Sequence, residues 1–372
     1  REEENPQAKL MACARNDKLF VDGSDLAQLA KEVRYVIGGN EEIAKTFRVI
    51  ALPKSWLSDP WSLLDETEQP ERWDDRLPIL VLPEEPDKLN ERLGRWVKDH
   101  LQKRRNTIRF LLPRTGLSNA FQDRDLLIYA RAVMKALEWS GQSPEYKRLH
   151  TKYQGELRDI LKKRFDRFAV LQRWNFTESS QCLFSIESLK KQGTHIPEGI
   201  EEVLVHDLFV PEDFEEFVLE AAGENSSVGK LLRELQEPRP AGQDCIPWLG
   251  ETLMKERVLR LCARGKVAIN LRGMEYLQVQ PSEDEDAAWK RLRPKLSYTG
   301  RQLDEVFLLV PSAVPTTGGT IPAPLIPLGD PASAGLFRGA TPTLPLIVGE
   351  PMLGGFTTPA PNSSGIFGRS EE

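Results

Sequence analysis

Residues 76–85 read RLPILVLPEE and residues 106–114 read NTIRFLLPR, with DKLNERLGRWVKDHLQ (87–102) between them. Each outer stretch is a short, nearly continuous apolar run closed by a proline, Pro83 or Pro113, as in a strand buried on both faces. The middle stretch places Leu89, Leu93, Trp96, Val97 and Leu101 at helical intervals, giving one apolar and one charged face. A further amphipathic helix follows in DRDLLIYARAVMKALEW (123–139), with Leu127, Ala130, Met134 and Leu137 along one side. Strand, helix, strand, helix is a βαβ arrangement, whose two strands run parallel.

Outward from this core, FRVIAL (47–52) predicts another strand, and 24–36 predicts a helix with Ser24 as its cap and Asp25 in its first turn. KSWLSDPWSLLDE, carrying Trp56 and Trp61, reads as a packing segment or helical turn. Residues 146–174 read as one long charged helix, with Leu157, Ile160, Leu161, Phe165, Phe168 and Leu171 on its apolar positions. Beyond it, VLVHDLFV (203–210) is strand-like, and EDFEEFVLEAA is a helix introduced by Pro211. SVGKLLRELQ and LGETLMKERVLRLCARG are two more helices. KVAINLRGMEYLQV then gives two strands about a turn at Gly273. Helices followed by a β-ribbon fit a winged helix-turn-helix.

The expected fold class is therefore α/β: a small parallel-sheet core with long helices, then an α+β winged-helix-like unit and a Pro/Gly-rich tail. The boundaries are 1–76, a linking or partial unit; 77–144, the α/β core; 145–195, the long helix and connector; 196–310, the winged-helix-like unit; and 311–372. That last segment is dominated by Pro, Gly, Thr and isolated aliphatics, the composition of a linker or of an extended arm that lies on another surface.

The chain has 372 residues, enough for two or three domains, and 50 basic against 56 acidic side chains. That balance excludes a uniformly basic nucleic-acid binder but allows local basic faces. Cys13, Cys182, Cys245 and Cys262 have no C-x-x-C spacing, which fits unpaired thiols in a reducing cytoplasm. No apolar run is long enough for a membrane helix, so no membrane partner is expected. The opening Arg1 implies a piece of a larger protein.

Tests for chemistry mostly fail. GENSSVGKLL (223–232) resembles a phosphate loop, but five residues rather than four separate Gly223 from Gly229, and Leu231 follows Lys230 where a magnesium-binding hydroxyl is needed. It reads as a helix start capped by Ser226 or Ser227. His100, His150, His195 and His206 lie at no metal-binding spacing, and Asp207 beside His206 in a strand would point to the opposite face. The run Glu283–Asp286 reads as a solvated loop. No catalytic, cofactor-binding or metal residue is assigned. Basic residues cluster at 95–109 and 158–173. A third set, Arg257, Arg260, Arg264, Lys266 and Arg272, surrounds the recognition-helix and wing positions and is the candidate DNA-binding set.

The series RLPILVLPEE, spacer helix, RRNTIRFLLPRTG and LLIYARAVMKALEW resembles the post-ATPase region of large P-loop ATPases of bacterial phage-defence islands, BREX-type or methyltransferase-associated. Asn106, Thr107, Phe110 and Trp139 carry the resemblance, and YQGELRDILKKRFDRFAVLQRWNF is similar to the family's long charged helix. It implies a cytoplasmic, non-catalytic coupling, assembly or DNA-contact portion of such an ATPase in an anti-phage DNA-modification complex. ATP and Mg²⁺ would then belong to an ATPase domain outside this chain. The implied partners are that ATPase or its subunits, double-stranded DNA and a DNA methyltransferase complex. Two other readings stand beside it: a protein-interaction scaffold without nucleic-acid binding, and an independent α/β enzyme with a noncontiguous active site at the carboxyl ends of the 77–113 strands.

Overall fold

The computed structural model describes residues 5–315, apart from 62–63, 102–104, 176, 191–194 and 241, and of His100 and Ser179 only the backbone. All but the first five residues of the Pro/Gly-rich 311–372 segment lie outside the described residues.

The chain is an α/β protein built on a five-stranded mixed sheet. It opens with helices α1 (Pro6–Ala14), α2 (Ser24–Gly38) and α3 (Glu41–Thr46), then β1 (Phe47–Ala51), β2 (Leu77–Val81), α4 (Leu89–His100) and β3 (Arg109–Pro113). The order is sequential, β1-β2-β3-β4-β5, and β1, β2 and β3 are parallel as the βαβ reading requires. Pro78 precedes the first β2–β3 pair, Ile79 with Arg109, so its missing N–H falls outside that ladder.

All of β2 is buried because two layers cover it. Leu77, Ile79 and Val81 join a cluster with Leu29, Val33 and Ile37 of α2 and with α5 (Arg124–Glu138) and α6 (Pro144–Lys162). Leu80 and Leu82 join Ile50, Phe110 and Leu112 under Trp56, Leu93 and Trp96 on the other face. Burying each aliphatic side chain fully contributes about 1.5–3 kcal/mol, so this strand anchors both layers. The KSWLSDPW segment is a packing element: Trp56 is fully buried and meets Trp96 edge-on at 6.3 Å.

Several expectations are corrected. The helix expected over 146–174 ends at Lys162, and β4 (Phe165–Arg173) follows, paired antiparallel with both β3 and β5 (Leu183–Ser188). The sheet is therefore mixed, not parallel throughout. Phe168, Ala169, Val170 and Leu171 are buried in succession; a segment apolar on both faces suits an interior strand better than a helix surface. The strand-like 203–210 is instead the end of α7 (Ile196–Val203) followed by a π turn, Leu204–Leu208. Pro197 starts that helix, and Ile200, Val203 and Leu204 lie on one buried face. Ser24 is not a side-chain cap: Gly23 precedes the helix at φ 76°, and the Ser24 hydroxyl donates to Asp22. Asp25 does sit in the first turn, but buried, where Arg131 donates to it at 2.8 Å.

The second half contains α8 (Pro211–Gly223), α9 (Val228–Gln236), α10 (Glu251–Ala263), β6 (Ala268–Leu271), β7 (Glu275–Leu277), α11 (Glu285–Leu292) and β8 (Val306–Leu309). The β6–β7 hairpin turns at Gly273, whose φ of 72° suits glycine. VFLLV supplies a third strand, β8, antiparallel to β6, giving the order β7-β6-β8. The acidic run at 283–286 is not a free loop: Asp284 caps α11 by accepting from Ala287 N. Buried residues of this half and of the helical face of the large sheet form one continuous cluster, from Leu10 to Leu308.

Candidate functional site

The start of β3 ties the large sheet to α7 and to the 235–248 segment, which β4 also meets, with Cys245 N donating to the Gln172 carbonyl at 2.6 Å and Arg173 paired with Asp244. Asn106, buried just ahead of the strand, donates its amide to the carbonyls of Leu235 at 2.8 Å and Ile246 at 2.6 Å. Arg109, only 1% exposed, meets Glu201 of α7 at two points, 2.8 and 3.1 Å. The same guanidinium donates to the carbonyls of Thr107 and Trp248. A buried cation survives only with its charge and donors satisfied, and these four acceptors do that. Asn106 and Arg109 therefore clasp the sheet to α7 and to the 235–248 segment. The sequence places Arg109 in a basic cluster suited to surface or interdomain packing, of which the structure shows the second, and marks Asn106 only as a motif residue. The available signal was a lone arginine inside the apolar run IRFLLP, which requires a buried acid.

The candidate DNA-binding set is brought onto one part of the second half, around α10 and the β6–β7–β8 sheet, yet each member already has an internal partner. Arg257 lies over the Phe209 ring at 4.0 Å, and burial lowers its pKa. Arg260 stacks on Trp289 at 3.9 Å and stands 3.8 Å from both Glu285 and Asp286. Arg264 pairs with Glu285 at 3.0 Å, and Lys266 with Glu215 at 2.9 Å. Arg272, in the left-handed region at φ 53°, pairs with Glu305 at 3.0 Å over the Tyr298 ring. The acids of α11 thus face the cations of α10.

The phosphate-loop decoy is a helix start. Ser227 accepts from Lys230 N at 3.1 Å, and Lys230 lies between Glu224 and Glu234. A Cβ on Gly229 would fall 2.2 Å from Asp304 Oδ1 and 2.9 Å from Asp304 N, so this glycine packs against protein. Beside it runs a cleft of about 890 Å³, lined by Phe217, Arg233, Glu237, Arg239, Arg301 and Asp304 among others. Its side chains are of mixed sign, and Arg233 is paired with Asp304 at 2.7 Å.

At the carboxyl ends of the parallel strands, where an α/β enzyme places its ligand, the loops are tied together. Asn119, buried, donates to Glu84 at 3.1 Å and to the Lys54 carbonyl, and Ala120 N donates to the Pro83 carbonyl. Glu85 is held by Arg167 at 2.6 Å. His150 places Nδ1 3.0 Å from the Val133 carbonyl, and His206 lies in the π turn rather than a strand. Burial pushes the Cys245 thiol up to about 11 and the Cys262 thiol up to about 12, and raises Cys182. Thiols so shifted are poor nucleophiles. Among the described residues no group of three or more His, Cys, Asp or Glu could hold a metal ion, and no helix is long and apolar enough to cross a membrane.

No protein-family model matches the chain, and neither the curated proteins nor the solved structures give a significant match.

Proposed function

We propose that this chain is a coupling and assembly portion of a large ATPase in an anti-phage DNA-modification complex, with nucleotide chemistry located outside it. The observation that carries the reading is the use made of its most distinctive strand. Asn106 and Arg109, within the stretch that resembles the post-ATPase region, clasp the sheet to the second half. Such a clasp suits a body that transmits a displacement between an ATPase and a partner, because force applied to one half reaches the other without a soft hinge.

Within this reading, α8 to α10 and the β6–β7 hairpin are a winged-helix-like unit turned toward protein assembly. Winged helices that bind DNA leave the cations of recognition helix and wing free for phosphates. Here Arg257, Arg260, Arg264, Lys266 and Arg272 face rings and acids of their own chain.

The test is hydrolysis. The full-length gene product should hydrolyse Mg·ATP, and the 372-residue chain should not. Turnover by the chain alone, lost on disturbing the Glu84–Asn119 region, would replace this reading with that of an independent α/β enzyme.

A further inference from the structure

We propose that the exposed face of α6, with α1 beside it, is a docking surface for the phosphate backbone of duplex nucleic acid. Lys147, Arg148 and Lys152 are exposed on this helix, and none has an acidic partner among the described residues. Lys152 lies 5.3 Å from the Tyr153 ring, as Arg257 lies over Phe209, whereas Arg260, Arg264, Lys266 and Arg272 face acids of their own chain. A shallow depression lined by Pro144, Lys147, Arg148, Thr151 and Lys152 marks the same face.

The helix is held from behind. Tyr146, Leu149, Tyr153, Leu157 and Leu161 are its buried residues, and Ser143 caps its start by accepting from Glu145 N. Arg148 and Lys152 stand one turn apart, about 6 Å along the axis, so neighbouring cations reach separate phosphates. Helix α1 extends the charge. Lys9 lies 5.9 Å from the ring of Trp139, which packs edge-on against Tyr146, and Arg15 is close enough to oppose the upward, burial-driven shift of the Tyr153 phenol.

The composition of the face selects the partner. A membrane-lying helix needs apolar side chains to insert, and a protein interface needs aromatic or aliphatic anchors at its centre. Positions 147, 148, 151 and 152 offer three cations and a hydroxyl, bordered by the exposed carboxylate of Glu145. Cations without anchors match phosphates, which position a duplex without reading its sequence.

The experiment is anisotropy of a labelled mixed-sequence DNA duplex titrated with the 372-residue chain, without nucleotide, so that the result is independent of the ATPase reading. Three phosphate contacts predict an affinity falling about 40-fold between roughly 50 and 200 mM salt. The variant Lys147→Glu/Arg148→Glu/Lys152→Glu, with an unchanged melting profile, should bind at least about tenfold more weakly and with a shallower salt slope. Arg264→Gln/Lys266→Gln should bind like the parent. Absence of parental binding, unchanged binding by the α6 variant, or equal loss in both variants would overturn the proposal. So would displacement of the duplex by polyglutamate as effective as unlabelled DNA, which would assign the face to an acidic protein.

Discussion

Arg109 of β3 and Glu201 of α7 face each other as a two-point ion pair, with Nε to Oε1 at 2.8 Å and Nη2 to Oε2 at 3.1 Å. They are 92 positions apart in sequence, and one belongs to the large sheet while the other lies on the helix that leads into the second half. With the Trp248 carbonyl that Arg109 also satisfies, the pair is one joint beside those made by Asn106, by Cys245 N on the Gln172 carbonyl and by Arg173 on Asp244.

Removing one partner leaves the other charge buried and alone. Arg109→Met should destabilise the chain by about 3–5 kcal/mol in urea unfolding. Replacing both residues, as Arg109→Met/Glu201→Met, should cost less than the single change, because no lone charge remains. A double variant as damaged as the sum of the two singles would show that the pair does not interact.

Asn106→Ala should cost about 1–3 kcal/mol, since it strands the buried carbonyls of Leu235 and Ile246. Asn106→Asp, nearly the same shape, should be worse, because it aims a carboxylate at both oxygens. Equal stability of the two variants in denaturant titrations would contradict the assigned bonds.

Two glycines should respond in opposite directions. Gly155 lies inside α6 with nothing within 4 Å of an added Cβ, so Gly155→Ala should stabilise by about 0.5–1 kcal/mol. Gly229→Ala must displace Asp304 and its ion pair with Arg233, and overpacking of this kind costs about 1–3 kcal/mol. Thermal melts of the two variants decide the matter, and a stabilised Gly229→Ala would contradict the packing.

Thiol reactivity should divide the cysteines. With pKa values near 11 and 12, Cys245 and Cys262 carry roughly one part in a thousand and one in ten thousand thiolate at pH 8. Partly exposed Cys13 should be alkylated first, and buried Cys245 and Cys262 far more slowly in the folded chain. Their labelling in the folded chain should rise as pH rises toward those values, because only the thiolate reacts. Fast labelling of Cys262 at pH 8, read by mass spectrometry, would show that its surroundings open.

The strands of 77–139 and helix α4 were legible because the periodicities are strong there: continuous apolar runs in β2 and β3, and one apolar stripe in α4. The stripe expected for α5, Leu127, Ala130, Met134 and Leu137, is misplaced: Leu126, Ala130, Val133 and Ala136 are buried and Leu137 is 57% exposed. Residues 163–174 were not legible. Lys162, Lys163 and Arg164 continue the charge pattern of α6, and Phe165, Phe168 and Leu171 keep a helical spacing that Val170 and Ala169 also satisfy as a strand. Only pairing with Phe110 and Leu111 of β3 decides between them. The engagement of Arg260 and Arg264 was equally out of reach. It depends on α11 bringing Glu285 back across α10, a tertiary contact that no local spacing announces.

The central claim is that the clasp makes the sheet and the second half one cooperative body. Native-state hydrogen exchange in increasing urea tests it most directly. The account predicts that the slowest amides of β2 and β3 and those of α10 and β6 exchange through the same opening, and that Arg109→Met separates them. Two distinct openings in the parent chain, with α10 and β6 released while β2 and β3 stay protected, would contradict it.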